Sequence, residues 1–493
     1  MRFSVRKTKT KSGKTAIQAV HYENRKVIVD KHFGSGGDEQ TISNLLQQAK
    51  HWIDTQGVQP VLFPEPQKRS FQFETTRFTH TTYVRVYIIL HAVVKLLAFQ
   101  TLPSLLIDLA IIRLIEPASK LRSLELLERY FNISYTTATT YRTLPKLIQH
   151  KKEVENLAVA VATKTLEESL SLVLYDVTTL YFETHAEDDD LRKRGFSKDH
   201  KENQPQIVIG LLVTTSGFPV GYEVFHGKTF EGDTMLQVIK DFATKYAIPT
   251  PVVVADAAMI SAKNVIALEQ AGFQYIVGAR LATSKQEIIS QLEKAPRDTH
   301  LRIQTENTTL ICAFSDKRYR KNKREFDKQI TKAEEMIREG KKGRRIKFVQ
   351  STDEKLSFNE ALKHKATVLL GWKGYHTNIP EEVSSSEEIV RHYQQLWQVE
   401  KSFRMTKSDL KARPIFLYTE DAIKSHILVC FLSLCIGKYM ELVTKQSLRS
   451  IRDTLWGMAD AHIIDIKTKE AFVLQSELSE GVKELLKKLR MSY

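Results

Sequence analysis

At 493 residues, with 42% hydrophobic and 27% charged side chains, the chain is too rich in core-forming residues to be disordered and too long for one compact core, so about three or four folding units are expected. Seventy-three Lys and Arg against 58 Asp and Glu give a net charge of +15, which favours a polyanionic partner. Three cysteines, Cys312, Cys430 and Cys435, stand in no CxxC or Cys/His spacing, which argues against a disulfide framework or a structural zinc and fits a reducing cytoplasm.

Residues 1–70 open without the continuous apolar stretch of a secretory signal. They alternate apolar and polar side chains (AIQAV, KVIV) before a helical pattern, which reads as a small α+β unit ending in the turn-rich connector VLFPEPQKRS. Residues 71–167 then carry helical periodicity. Within them SLELLERYFNISYTTATTYRTLPKLIQHKK reads as helix, polar turn and second helix, with Thr136, Thr137, Thr139, Thr140, Tyr141 and Arg142 on the latter. Small hydroxyls beside Arg142 suit a helix that meets DNA phosphates, and an ordinary helical hairpin reads equally well.

From 168 to 280 the period changes. SLVLYDVTTLYF is a strand pattern with Asp176 inside an apolar run, where an ionised carboxylate is costly unless paired or metal-bound. After a polar segment, QIVIGLLVTT, the turn SGFP and VGYEVFHG read as a hairpin. A helix, the strand PVVVAD ending on Asp256, another helix and the strand FQYIVGA follow, which together predict a mixed sheet covered by helices. Asp188, Asp189 and Asp190 read as a solvated acidic loop.

Residues 281–378 read as a β-containing basic insertion. Between 317 and 347, fourteen Lys and Arg face five Asp and Glu, which suits either a solvated helix face or contact with a phosphate backbone. Residues 379–418 contain SSSEEIVRHYQQLWQVEKSFRMTK, predicted as one uninterrupted amphipathic helix whose serines and Glu387 or Glu388 form a capping box. Helical spacing would put Tyr393, Trp397, Glu400, Arg404 and Lys407 on one stripe, with Leu396, Val399 and Phe403 beside it. Residues 419–493 read as helical. Their apolar run from Ile427 to Ile436 is too short to span a bilayer and is expected to be buried, so no membrane partner is called for.

Two strand aspartates and a helix glutamate in a basic α/β chain are what two-metal phosphoryl transfer uses. The set resembles the DDE transposases of bacterial insertion sequences, in particular the insertion-sequence-four superfamily with its β-strand insertion and Y-x2-R-x3-E-x6-K signature. Tyr393, Glu400 and Lys407 occupy matching positions, and Leu396 stands where the arginine is usual. The segments GFSKDHKENQPQIVIGLLV, YHTN and LWQVEKSFRMTKSDLKARPIF resemble the group as well.

The resemblance implies an α/β fold: an RNase H-like mixed-sheet core interrupted by a β-rich insertion, with helical N-terminal and C-terminal regions. It implies Asp176, Asp256 and Glu400 as catalytic residues holding two Mg²⁺ or Mn²⁺ ions. Tyr393 and Lys407 would contact phosphates, with Arg404 or Lys401 compensating for the absent arginine. Trp397, Arg142 and Lys198 are further expected DNA contacts. Trp372 is weighed as a surface for a flipped base and as core packing. The implied activity is cutting at the terminal inverted repeats of a mobile element and joining its 3′-hydroxyl ends to target DNA, by a nucleoid-associated homodimer in a synaptic complex with no small-molecule substrate. The alternative is a catalytically silent DNA-binding descendant acting as a repressor.

Overall fold

The computed structural model describes residues 3–23, 26–55, 75–183, 191–195, 204–229, 231–248, 251–256, 262–306, 308–339, 346–352 and 355–491. The chain divides into two units, residues 1–71 with 490–493, and residues 72–489. In the first, strands β1 (Ser4–Lys9), β2 (Thr15–Glu23) and β3 (Lys26–Gly36) form an antiparallel sheet in that order, and helix α1 (Glu39–Thr55) packs on it. Ile17, Ala19 and Val20 of the central strand supply its core.

The second unit opens with strand β4 (Thr76–Thr82) and helices α2 (Val84–Leu96), α3 (Ser104–Ile115), α4 (Lys120–Phe131), α5 (Thr137–Thr143) and α6 (Lys151–Ala160). Ser119 and Thr136 cap α4 and α5 by accepting the backbone amides of Arg122 and Thr139. Between these helices lies the short turn expected from the sequence, and Thr136, Thr137, Thr139, Tyr141 and Arg142 are exposed. Thr140 instead turns inward.

Next come β5 (Leu172–Tyr181), β6 (Gln206–Val213), β7 (Pro219–His226), α7 (Glu231–Lys245), β8 (Val252–Ala255), α8 (Ala262–Gln270), β9 (Gln274–Ala279) and α9 (Gln286–Lys294). Strands β7, β6 and β5 are antiparallel neighbours, and β8 and β9 continue parallel to β5. Their near-continuous apolar composition follows from being covered on both faces. Tyr175 reaches α7, where its hydroxyl meets that of Thr234 at 2.9 Å, and Gly210 leaves the room for this, since a β-carbon there would collide with the Tyr175 hydroxyl.

The segment expected to be an insertion does not fold apart. Its strands β10 (His300–Gln304) and β11 (Thr309–Phe314) pair with each other, and β11 pairs with a later strand, β14 (Trp372–Thr377), which joins β9. One eight-stranded sheet results, ordered β10-β11-β14-β9-β8-β5-β6-β7. Between β11 and β14 the chain leaves the sheet for helix α10 (Asp316–Glu339), the hairpin β12 (Val349–Thr352) and β13 (Lys355–Phe358), and α11 (Glu360–Val368). Helix α10 carries much of the basic stretch, and only Ala333 of its 24 residues is buried.

The segment predicted as one helix over 384–407 is broken. Helix α12 (Ser386–Gln394) starts at the expected capping box, formed by Ser385 and Glu388, and helix α13 (Trp397–Arg404) follows after a tightened turn at Gln395 and Leu396. There the amides of Gln395, Leu396, Gln398 and Val399 all bond three residues back instead of four. No Gly or Pro marks the break; α12 packs over β8 to β11 while α13 packs over β5 and β6, so tertiary contacts impose it. A single π turn (Met405–Asp409) then ends α13.

Helix α14 (Glu420–Thr444) meets the length and apolarity of a membrane span, yet 83% of its apolar window is buried against α3, β7 and their neighbours. It is the central core helix. Helix α15 (Leu448–Trp456), strands β15 (Asp460–Asp465) and β16 (Ala471–Gln475), and α16 (Glu480–Lys488) complete the unit. The two strands depart from the all-helical reading of this region; they form a sheet with β4, ordered β16-β15-β4. A buried ion pair of 2.7 Å between Arg85 and Asp460 ties the two ends of the unit together.

Candidate active site

The register of the central strands decides where the first two carboxylates lie. Leu172, Val173 and Leu174 face Val252, Val253 and Val254 in the parallel pair β5–β8. Two residues beyond the last pair stand Asp176, still within β5, and Asp256, just past the end of β8, so the two strands deliver both carboxylates to the same end of the parallel pair. Two residues and four residues after Asp176, Thr178 and Leu180 line a cavity with Phe403 of α13. Side chains alternate along a strand, so Asp176 points to the same face, the one α13 covers.

Helix α13 supplies the third carboxylate. Val399, Ser402 and Phe403 are buried toward the sheet, and the Ser402 hydroxyl donates to the Gly217 carbonyl at 3.1 Å. Glu400, one position from Val399, is left at the rim. There it lines a cavity of about 360 Å³ with Asp256, Arg318, Lys373, Tyr375, Tyr393, Leu396 and Trp397.

The Tyr393 hydroxyl donates to Asp256 Oδ1 at 2.9 Å. Burial, with the Asp256 carboxylate next to it, raises this phenol well above its ordinary pKa, so it stays a donor throughout the neutral range. The Lys373 ammonium lies 4.1 Å from the Tyr393 ring centroid. Burial lowers the Lys373 pKa and the Arg318 guanidinium lowers it further, while Asp256 and Glu400 pull it back up. The cavity thus has anionic groups at its floor and rim and cations facing them.

This arrangement divides the expected stripe. Tyr393, Trp397 and Glu400 line the cavity; Arg404, a full turn beyond Glu400 at the end of α13, and Lys407, in the π turn that follows, do not. Lys401 is turned away as well, held 2.9 Å from Glu441 of α14, so it does not replace the absent arginine. Tyr393, expected at a phosphate, is 5% exposed and holds Asp256 instead. Trp397 is 53% exposed.

Trp372 falls on the packing side of its two readings. It is 7% exposed in a cluster with Leu281, Leu292, Ile303, Leu310 and Cys312, and Phe314 meets it edge-on at 5.5 Å. A ring so enclosed offers no face to a base, which corrects its expected DNA contact. Arg142 is exposed on α5, on a different element from the carboxylate cavity, and Lys198 and residues 188–190 lie outside the described residues.

Sequence reasoning missed Lys373 and Arg318. Lys373 sits three residues before His376 in the recognised YHTN neighbourhood, and Arg318 is the second residue of the basic run, so both were visible as residues. Only the pairing of β14 with β9 and β11 carries them to Asp256.

Asp176, Asp256 and Glu400 offer hard carboxylate oxygens, the donor chemistry suited to Mg²⁺ or Mn²⁺. Among the described residues no three ligating side chains already converge into a cluster. The donor set fits such ions by its chemistry, with Asp256 and Glu400 in one cavity and Asp176 on the strand next to the one that ends at Asp256.

Residues 167–436 match the sequence profile of the transposase DDE domain, more than half of the chain. No curated protein sequence matches. Among solved structures, a piggyBac transposase synaptic complex with hairpin DNA is similar at 9% identity and a TM-score of 0.36, covering 76% of this chain and 70% of that one. A Mos1 transposase paired-end complex with the left transposon end is similar at 12% identity and a TM-score of 0.16, covering 49% and 67%. Overlap this loose does not inform the site. The matched segment includes all three carboxylates, and the mixed sheet is that of an RNase H-like core flanked by helices: the chain belongs to the DDE transposase family.

Proposed function

We propose that the protein is an active transposase of the insertion-sequence-four type, cutting DNA at the terminal inverted repeats of its element and joining the ends to target DNA. The observation that carries this is the placement of Asp176 on β5 and Asp256 at the end of the adjacent parallel strand β8, with the Glu400 helix laid over the same face. Water attacks phosphorus at each element end, the bond to the 3′ oxygen breaks, and that oxygen leaves as a hydroxyl while the phosphate stays on the flanking 5′ end. In the second step the freed 3′-hydroxyl attacks a target phosphodiester, releasing a target 3′-hydroxyl.

Divalent ions bound by Asp176, Asp256 and Glu400 would activate the attacking oxygen and stabilise the leaving one. Tyr393 fixes the Asp256 carboxylate by its hydrogen bond. Lys373 and Arg318 offer positive charge to the phosphate that enters the cavity, and the exposed Trp397 ring offers a stacking surface at its mouth. The exposed basic start of α10 extends this charge along the DNA. Two ends must be held at once, so a dimer in the synaptic complex belongs to the proposal.

The test is cleavage of labelled DNA bearing the inverted repeats that flank the gene, with and without Mg²⁺. Metal-dependent cuts at the repeat ends that vanish in Glu400→Gln while binding persists are expected. Binding without cutting by the unaltered protein, in Mg²⁺ and Mn²⁺ alike, would replace this reading with the silent repressor.

A further inference from the structure

A second cavity, of about 200 Å³, lies in the same unit; its walls are largely apolar, with Pro117, Pro414, Ile415 and Leu417 among them, and the polar groups that enter it are mostly cations and hydrogen-bond donors. Arg113 of α3, Lys120 at the start of α4 and His426 of α14 line it, with Lys411 and Arg413 from the loop after α13 and Tyr141 of α5. Arg113, Lys120 and His426 are only 2%, 5% and 5% exposed.

The hydrogen bonds fix the state of these groups. His426 Nε2 lies 2.9 Å from the Ala412 carbonyl, which can only accept, so Nε2 carries the proton and Nδ1 is the acceptor for Lys120 Nζ, also at 2.9 Å. That bond occupies one of the three N–H groups an ammonium carries. Arg113 donates to the carbonyls of Leu410 at 2.7 Å, Lys411 at 3.0 Å and Ala118 at 3.1 Å. These are neutral partners. No carboxylate among the described residues pairs with Lys120 or Arg113, and the Lys120 amine is held well below its ordinary pKa by burial and by the Arg113 charge.

Buried charges are ordinarily paired, because taking an ion out of water costs several kcal/mol. An anion in this cavity would give Lys120 its missing partner and return it to the charged form. The same cavity reaches the surface at the exposed Lys411 and at Tyr141, which adjoins Arg142 on α5. A polymer laid along that helix would bring one of its phosphates to the opening.

We infer that this cavity is a phosphate-anchoring site, distinct from the carboxylate cavity, in which Lys120, Lys411 and Arg413 hold one backbone phosphate of DNA that lies along α5. The assignment to DNA rests on the transposase reading; the assignment to phosphate rests on the cavity alone. The loop that forms its wall directly follows the Glu400 helix, so an occupied cavity would tie bound DNA to the segment bearing the catalytic glutamate.

Thermal unfolding of the full chain against inorganic phosphate, at ionic strength matched with chloride, separates the two assignments. Phosphate should raise the melting temperature of the unaltered protein and of Glu400→Gln equally, since binding to the folded state alone stabilises it by mass action. Lys120→Met should abolish the shift, and Lys411→Gln, an exposed change that spares the fold, should shrink it. In DNA binding the slope of log affinity against log salt should fall by about 0.9 in either variant, the value of one lost phosphate contact.

No phosphate-specific shift, or one that both variants keep, overturns the site. A shift lost in variants whose salt slope equals that of the parent overturns the DNA assignment and leaves free phosphate as the ligand. An unaltered protein that binds no DNA would overturn the transposase reading and the DNA assignment together, while the phosphate shift still decides the cavity.

Discussion

The second unit contains two cavities whose charged groups are arranged on opposite plans. In the carboxylate cavity, Asp256 and Glu400 meet Lys373, Arg318 and the Tyr393 hydroxyl, groups drawn from strand β14, the residue after β8 and three helices, and part of the wall is open to solvent. In the other, Arg113, Lys120 and His426 lie among backbone carbonyls with no opposing carboxylate among the described residues, and they are almost wholly enclosed. The first arrangement holds its charges near balance and leaves them at a rim, so single changes should alter chemistry more than folding. In the second, hydrogen bonds from a buried cation also anchor the loop at Leu410 and Lys411, so single changes should alter folding as well.

Glu400→Gln is the largest departure expected from that contrast. Losing one carboxylate that holds the ions removes several kcal/mol of transition-state stabilisation, so strand cleavage should fall on the order of 10³-fold. The melting temperature should stay near that of the parent, because Glu400 is exposed. A large drop in stability would erase the distinction between the cavities.

Arg113→Met should behave in the opposite way. Three carbonyl bonds disappear and the loop over 409–415 loses its anchor, for a stability loss of about 3–5 kcal/mol read by denaturant unfolding. Stability within 1 kcal/mol of the parent would show that the buried guanidinium is dispensable to the fold.

Tyr393→Phe keeps the ring packed on Tyr375 and removes only the bond to Asp256. A hydrogen bond to a charged group is worth about 1.5–3 kcal/mol, so cleavage should slow by about 10- to 100-fold with DNA affinity unchanged. Weakened DNA binding with normal turnover would return Tyr393 to the phosphate-contact role read from the sequence.

The smallest effect is a pH dependence. Lys373 is useful to a phosphate only when protonated, and its pKa lies below the usual 10.5. DNA affinity should therefore fall as pH rises through that lowered value, before ordinary surface lysines titrate. Lys373→Arg, which stays charged, should flatten the fall. An identical pH profile in parent and variant would remove Lys373 from the interface.

Local patterning carried much of this molecule. The apolar runs around Asp176 and Asp256 announced buried strands, and an offset of 80 residues between those aspartates is the same offset that pairs Leu174 with Val254. The serines before Glu388 announced the start of α12 because a capping box is made from neighbours in sequence. The mixed sheet was anticipated, but several inferences that needed particular partners far along the chain failed. The break at Gln395 and Leu396 is invisible to periodicity, since αR backbone continues through it and only packing on two parts of the sheet demands the tighter turn. Trp372 could be read two ways until the cluster around it closed.

The sequence by itself determined the basic character of the chain and most of the strands and helices, because charge, burial preference and capping are properties of residues and their near neighbours, and its resemblance to a family singled out the three candidate carboxylates. Tertiary structure alone decided that the basic insertion adds strands to the central sheet, that Lys373 and Arg318 face Asp256 while Arg404 and Lys407 do not, and that Lys120 meets His426 across 306 residues. Strand order and cross-chain hydrogen bonds arise from global packing, which periodicities of two and 3.6 residues do not encode.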